Sequence, residues 1–315
     1  MKRNTAFLIN GGAGRVMCSI PALELYEQEN PDDNFIIIAE GFLDLFKGHP
    51  TLYKRSYEHT HRNLFEDKIK NMKFVCPEPY QVWEYYNQQA SIAQAFDIVI
   101  NNKGLRDLPQ PTMVLSTEEQ LGGVETVNKI RKDFNNKKAI VFQPFGRGTN
   151  VHNHSGITGL DMGGRSFSAE QAAKLIKRLQ KKYCVIVMDE KQTDFKALGC
   201  EEVVPQLTGM TLRRWLGLIA ASSYFVGCDS VGQHMAVSVD KPVTVVLGST
   251  FKENVTYTNN KKVNIIDLGE GRKAYSPIRM CYDEIADSNN EKLMALLDKD
   301  FDKIVNSIEA NISKV

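Results

Sequence analysis

The sequence predicts an α/β fold made of two doubly wound parallel-sheet halves. Short apolar runs of strand length alternate with stretches of helical length along most of the chain, which is how βαβ units and parallel sheets read in sequence. The alternation halts and restarts at the polar stretch Asp133-Phe134-Asn135-Asn136-Lys137-Lys138. A chain of 315 residues has room for one domain on either side of that stretch.

In the first series the strand candidates are residues 6–10, 35–39, 73–76, 98–101 and 112–115. Ser19 to Gln28 lies between the first two and carries apolar positions at helical spacing. The second series opens with the strand Ala139-Ile140-Val141-Phe142, followed by an amphipathic helix from Ala169 to Lys182 and a strand from Cys184 to Met188. A helix from Leu212 to Ser222, a strand from Tyr224 to Cys228, a short helix from Gln233 to Val239 and a strand from Val243 to Leu247 come next. Glu291 to Ile312 reads as a terminal helix pair or one bent helix. The expected organisation is therefore an N-terminal domain of residues 1–134, a C-terminal domain of residues 135–285 and a helical segment of residues 286–315. Two such halves would leave a cleft rimmed by the carboxyl ends of their strands, where ligands of open α/β sheets bind.

Composition narrows the partners. A net charge of +1 supplies no global field that would favour nucleic acid or a membrane. No run approaches the roughly 20 apolar residues that cross a bilayer. Ala6-Phe7-Leu8-Ile9 is too short for a signal-peptide core and reads as the first strand. The six cysteines are scattered without CxxC or zinc-type spacing, as expected for reduced thiols of a cytoplasmic protein. Neither metal, disulfide nor cofactor is expected.

The most informative segment is Asp229-Ser230-Val231-Gly232-Gln233-His234, where a buried strand breaks into a helix. Asp or Ser can cap that helix, and Gly232 would let a ligand approach the backbone. Unpaired amides at a helix start suit a phosphate or diphosphate. Around it, Gly209-Met210-Thr211-Leu212, Asp240-Lys241-Pro242 and Gly248-Ser249-Thr250 follow in an order and spacing that resemble the lipopolysaccharide heptosyltransferase family. Gly14-Arg15-Val16-Met17-Cys18-Ser19-Ile20-Pro21 is similar to that family's opening loop and first helix, and Met280-Cys281-Tyr282-Asp283-Glu284-Ile285 to its Cys-Met-x-x-Ile segment.

The resemblance implies a GT-B architecture of two Rossmann-like domains and an inverting, metal-independent transfer from a nucleotide-diphosphate sugar to a hydroxyl. It implies donor binding by Asp229, Ser230, Val231, Gly232, Gln233 and His234, and by Gly146, Arg147 and Arg165 on the loops after the first strand of the second domain. The nucleobase would lie near Met188, Gln206 and Leu207. The family's opening loop reads Gly-Asp, with the Asp as candidate base, whereas this chain has Gly14-Arg15. An arginine stays protonated and cannot take a proton from the acceptor. Arg15 is instead a candidate phosphate contact or a solvated loop residue. Glu40, directly after the second strand, is the first choice as replacement base, ahead of Glu118, Glu119 and Asp44.

The insert from Tyr53 to Arg62 mixes basic and aromatic residues and could meet an anionic acceptor, either a lipopolysaccharide-type glycan or the backbone of DNA carrying hydroxymethylated bases. His152 and His154 form a weak metal pattern, read as loop residues. Three other readings stay open: a phage-type transferase acting on modified DNA, an inactive nucleotide-sugar-binding protein, and an epimerase. Gly11-Gly12-Ala13-Gly14 lacks the complete dinucleotide fingerprint, which argues against a dehydrogenase.

Overall fold

A computed structural model describes residues 4–146, 149–150, 160–161, 164–273 and 293–312. They fall into two compact units, the first running to Val114 and the second beginning at Leu115.

Unit 1 contains β1 (Thr5–Ile9), α1 (Ala13–Glu29), β2 (Ile36–Ala39), β3 (Ser56–Glu58), β4 (Lys73–Val75), α2 (Trp83–Tyr86) and α3 (Ile92–Asn101). Its parallel sheet has the order β3-β2-β1-β4. The central strands are continuous apolar runs because helix or loop covers both faces. Phe7, Tyr26 and Phe35 meet edge to face at one end of the sheet.

Residues 98–101, expected as a strand, form the last turn of α3. The helix is set by a capping box: Ser91 Oγ accepts from the Gln94 amide at 3.2 Å, and Gln94 Oε1 accepts from the Ser91 amide at 2.9 Å. Once started, it carries Phe96 and Ile100 into the core, and it ends at Asn102 in the left-handed region. Residues 112–115 run without a strand partner.

Unit 2 contains α4 (Thr117–Lys132), β5 (Ala139–Gln143), β6 (Thr149–Asn150), β7 (Leu160–Asp161), α5 (Ala169–Gln180), β8 (Cys184–Val187), α6 (Leu212–Ala221), β9 (Tyr224–Cys228), α7 (Val231–Ser238), β10 (Val243–Leu247), α8 (Lys252–Val255), β11 (Val263–Asp267) and α9 (Asp298–Ile312). The main sheet is parallel with the order β11-β10-β9-β5-β8, while β6 and β7 form a small antiparallel pair. Phe301, Ile304, Ile308 and Ile312 of α9 join Ile140, Phe142, Val185 and Val226 in one core.

The division by packing falls before α4, ahead of the polar stretch at residues 133–138, because α4 is bound to α6 of unit 2. The two helices touch backbone to backbone: a Cβ on Gly123 would lie 2.3 Å from the Gly217 carbonyl oxygen. Beside that contact Arg213 grips Glu119 through Nε, at 2.8 Å, and through Nη2. Both side chains are largely buried. The Arg213 bond, the largest influence on it, holds the Glu119 carboxyl down at about 2. This pair therefore stabilises the fold above the ordinary glutamate range near 4.5, and the contribution is lost as pH falls toward 2. Glu119→Gln should cost about 3 kcal/mol at neutral pH, by urea unfolding. The gap between wild type and variant should narrow as pH is lowered below 5, at about the rate expected of one proton.

Candidate functional site

The carboxyl edge of the unit 2 sheet collects most of the candidate residues. After β5 the chain adds β8 on one side and returns with β9 on the other, so the strand order reverses between β5 and β9. Segments leaving that point diverge to opposite faces and open a crevice suited to a ligand. Gln143 ends β5, and Asp229 and Ser230 follow β9.

Gln143 bridges this reversal. Its Nε2 donates to Ser230 Oγ at 3.0 Å, and its Oε1 accepts from the Gly232 amide at 3.0 Å. A Cβ on Gly232 would lie 2.3 Å from Gln143 Oε1 and 2.4 Å from Phe225 Cζ. The space that the glycine was expected to leave for a ligand is thus filled by protein. Gln233 is also answered internally, its amide by the Ser230 carbonyl at 3.3 Å. The start of α7 consequently presents fewer amides to an anion than the turn alone would predict, and the Ser230 hydroxyl gains weight.

Asp229 is buried, and its Oδ1 accepts from Gln233 Nε2 at 3.0 Å. Arg165 Nη1 stands 3.9 Å from Asp229 Oδ2, so these two expected donor residues are together. On the neighbouring loop the Gly146 amide donates to Ser166 Oγ at 2.9 Å. Val231 is half-buried at the first position of α7. Arg147, His152, His154 and the 280–285 segment lie outside the described residues.

His234 bonds through Nδ1 to the Tyr257 hydroxyl at 2.7 Å and meets that ring edge on. Burial lowers its pKa to about 4, so the imidazole is neutral at physiological pH and acts as a brace between α7 and the segment after α8. At the far end of the edge, Lys273 bonds Asp267 Oδ2 at 2.7 Å and also the Thr250 carbonyl, which ties the loop after β11 to the loop after β10.

On the other side of β5, Met188 is buried at the end of β8. Gln206 holds the Thr193 backbone with both ends of its carboxamide, at 2.9 and 2.8 Å, and Leu207 is half-buried beside it. Asp189 is shifted upward by burial.

In unit 1 the strand order reverses between β1 and β4. Here Arg15 of α1 crosses the reversal and bonds Glu78 Oε1 and Oε2 at 3.0 and 3.2 Å and the Pro77 carbonyl at 3.1 Å. Its side chain is 5% exposed and packs over the rings of Tyr80 and Phe96. The guanidinium is therefore turned into the unit as the counter-ion of Glu78 and is not a solvated loop residue. Glu40 follows β2, and its Oε2 accepts from the Gly11 amide at 3.1 Å. Cys76 lies nearby with its residue surface exposed; partial desolvation of its sulfur raises the thiol pKa, Arg15 opposes that, and Glu78 and Glu40 add to it. Asp44 is exposed on a 3-10 turn. In the basic insert, Arg55 bonds Glu27 at 3.2 Å and the Phe35 carbonyl at 3.2 Å, so it serves the fold.

Gln143, Tyr257 and Glu78 are the site residues that sequence reasoning missed. Gln143 had a usable signal, since it stands where a central strand gives way to loop, whereas Glu78 follows the edge strand β4. Among the described residues no group of three or more His, Cys, Asp or Glu could hold a metal ion. Likewise, no described helix is long and apolar enough to cross a membrane.

A buried neutral histidine makes folding sensitive to acid. With its folded value near 4 against an ordinary 6.5, His234 costs stability as pH falls from 6.5 to 4, because the unfolded chain takes up the proton first. His234→Gln should flatten that part of the stability profile by up to about 1.4 kcal/mol per pH unit, measured by urea unfolding across the range.

No family model matches the sequence, and no curated protein matches it. The fold, however, is shared with solved structures over nearly the whole chain. A glycosyl transferase family 9 structure from Veillonella parvula has a TM-score of 0.67 at 10% identity, covering 100% of this chain and 99% of that one. Escherichia coli ADP-heptose lipopolysaccharide heptosyltransferase II gives 0.59 at 13% identity, covering 99% of each chain. Escherichia coli heptosyltransferase WaaC with ADP gives 0.52 at 15% identity, covering 84% of this chain and 92% of that one. Two parallel sheets flanked by helices, matched in this way, give the chain the GT-B fold of the family 9 glycosyltransferases and lipopolysaccharide heptosyltransferases.

Proposed function

We propose that this chain is an inverting glycosyltransferase that moves a sugar from a nucleoside-diphosphate sugar to a hydroxyl acceptor. The observation that carries the reading is the set of polar groups at the strand reversal of unit 2. There the Ser230 hydroxyl at the start of α7 follows Asp229 in the chain, and Arg165 stands by that carboxylate, which Gln233 already holds. Hydroxyl, helix dipole and guanidinium are suited to a diphosphate that gains charge as the glycosidic bond breaks. Asp229 organises that turn, and its own charge is offset by Gln233 and Arg165.

An adenosine-diphosphate sugar is the first donor to try, since the similar structures include an ADP-heptose lipopolysaccharide heptosyltransferase and a heptosyltransferase with ADP. In this reading the base contacts the stretch from Met188 to Leu207, and Glu40 takes the acceptor proton. A saccharide acceptor is favoured over DNA, because the basic insert commits Arg55 to Glu27 and Phe35.

Titration calorimetry against ADP, UDP and GDP tests the donor site. Asp229→Ala should weaken the tightest of these by about tenfold or more, as expected when a charge-assisted network is opened. Unchanged affinity would remove the site. For Glu40→Gln, turnover should drop by about 10²-fold or more while nucleotide affinity holds, as for the loss of a general base. Full activity in that variant excludes Glu40 from proton transfer.

A further inference from the structure

A carboxamide can be placed in two ways, and here the backbone decides between them. The Gly232 amide can only donate, so the Gln143 atom 3.0 Å from it is the carbonyl oxygen. The NH2 group is then the one facing Ser230 Oγ, also at 3.0 Å. Because an NH2 group has no lone pair to offer, Ser230 Oγ must accept this bond. Its own proton is directed away from Gln143. Gln143 is buried, so water does not compete for either end, and the absence of a Cβ on Gly232 is what admits the carboxamide.

We propose that Gln143 is a positioning residue that turns Ser230 into an outward hydroxyl donor to the phosphoryl oxygens of a nucleoside diphosphate. The inference rests on the donor-site reading above and deepens it. Phosphoryl oxygens that carry no proton can only accept, so a serine with its proton held inward would oppose them with lone pairs. The neutral carboxamide fixes this polarity without adding charge to a site meant for an anion.

Gln143→Glu is nearly isosteric and keeps an oxygen opposite the Gly232 amide. Its second oxygen, however, draws the Ser230 proton inward. Binding of ADP is measured by calorimetry for wild type, Gln143→Glu, Ser230→Ala and the double variant, with far-UV circular dichroism to confirm folding. Both single variants should bind at least about tenfold more weakly. The double variant should bind no more weakly than the poorer single one, because both changes act on the same hydroxyl. As pH falls, the introduced carboxyl takes up a proton and can again donate to Ser230. The deficit of Gln143→Glu relative to wild type should therefore shrink, a response that a purely structural role would not give.

Wild-type affinity in Gln143→Glu alongside a loss in Ser230→Ala overturns the role of Gln143 and leaves the donor site standing. Additive losses in the double variant overturn it too. Failure of the wild-type chain to bind ADP, UDP or GDP overturns the donor site and this inference together, as does full affinity in both Ser230→Ala and Asp229→Ala. Should Gln143→Glu not fold, Ser230→Ala decides alone: unchanged ADP affinity overturns the proposal.

Discussion

Both units are built around the same constraint: a parallel sheet that grows from its middle has one place where successive segments leave for opposite faces, and that place must be closed. In unit 1 it lies between β1 and β4, in unit 2 between β5 and β9. Unit 1 closes it with ions, Arg15 against Glu78, and unit 2 with a neutral carboxamide, Gln143 against Ser230 and Gly232. The choice has consequences. Removing one partner of a buried ion pair leaves an uncompensated charge, so the unit 1 edge is held rigidly. The carboxamide leaves the unit 2 edge uncharged at the bridge, and a hydroxyl remains there to face outward.

The charged closure also accounts for the departure from the resembling family. Where those enzymes are expected to carry an acid in the opening loop, this chain has Arg15 and compensates with Glu78 from across the sheet. Glu40 follows the next strand over, and its Oε2 accepts from the Gly11 amide. Glu78 is thus the counter-ion of Arg15, while Glu40 is the acid proposed above for the acceptor proton.

How far the sequence could be read depends on how local each signal is. β1, β2, β5, β8, β9 and β10 were legible because strands buried on both faces are unbroken apolar runs. β11, Val263–Asp267, was not anticipated: it is only half-buried along its length and mixes Asn264 and Asp267 with its apolar residues. Ile98 to Asn101 is apolar enough for a strand, and only the capping box seven residues upstream reveals the helix. The Asp229 turn was visible as a strand breaking into a helix. The partner of Gly232 was not, since Gln143 lies 89 residues away, and the same holds for Arg15 and Glu78, 63 apart. Long-range polar pairing leaves no periodicity to detect.

Helix α9 places Phe301, Ile304, Ile308 and Ile312 among residues of β5, β8 and β9. Unit 1's described core, by contrast, is drawn from residues made before position 115. None of those described core residues comes from α9. Unit 2 is not closed by its strands alone: this face of its core stays uncovered until residues 298–312 pack on it. Until then the strand that ends in Gln143 has an open flank, so a chain cut before Asp298 should present that apolar face to solvent.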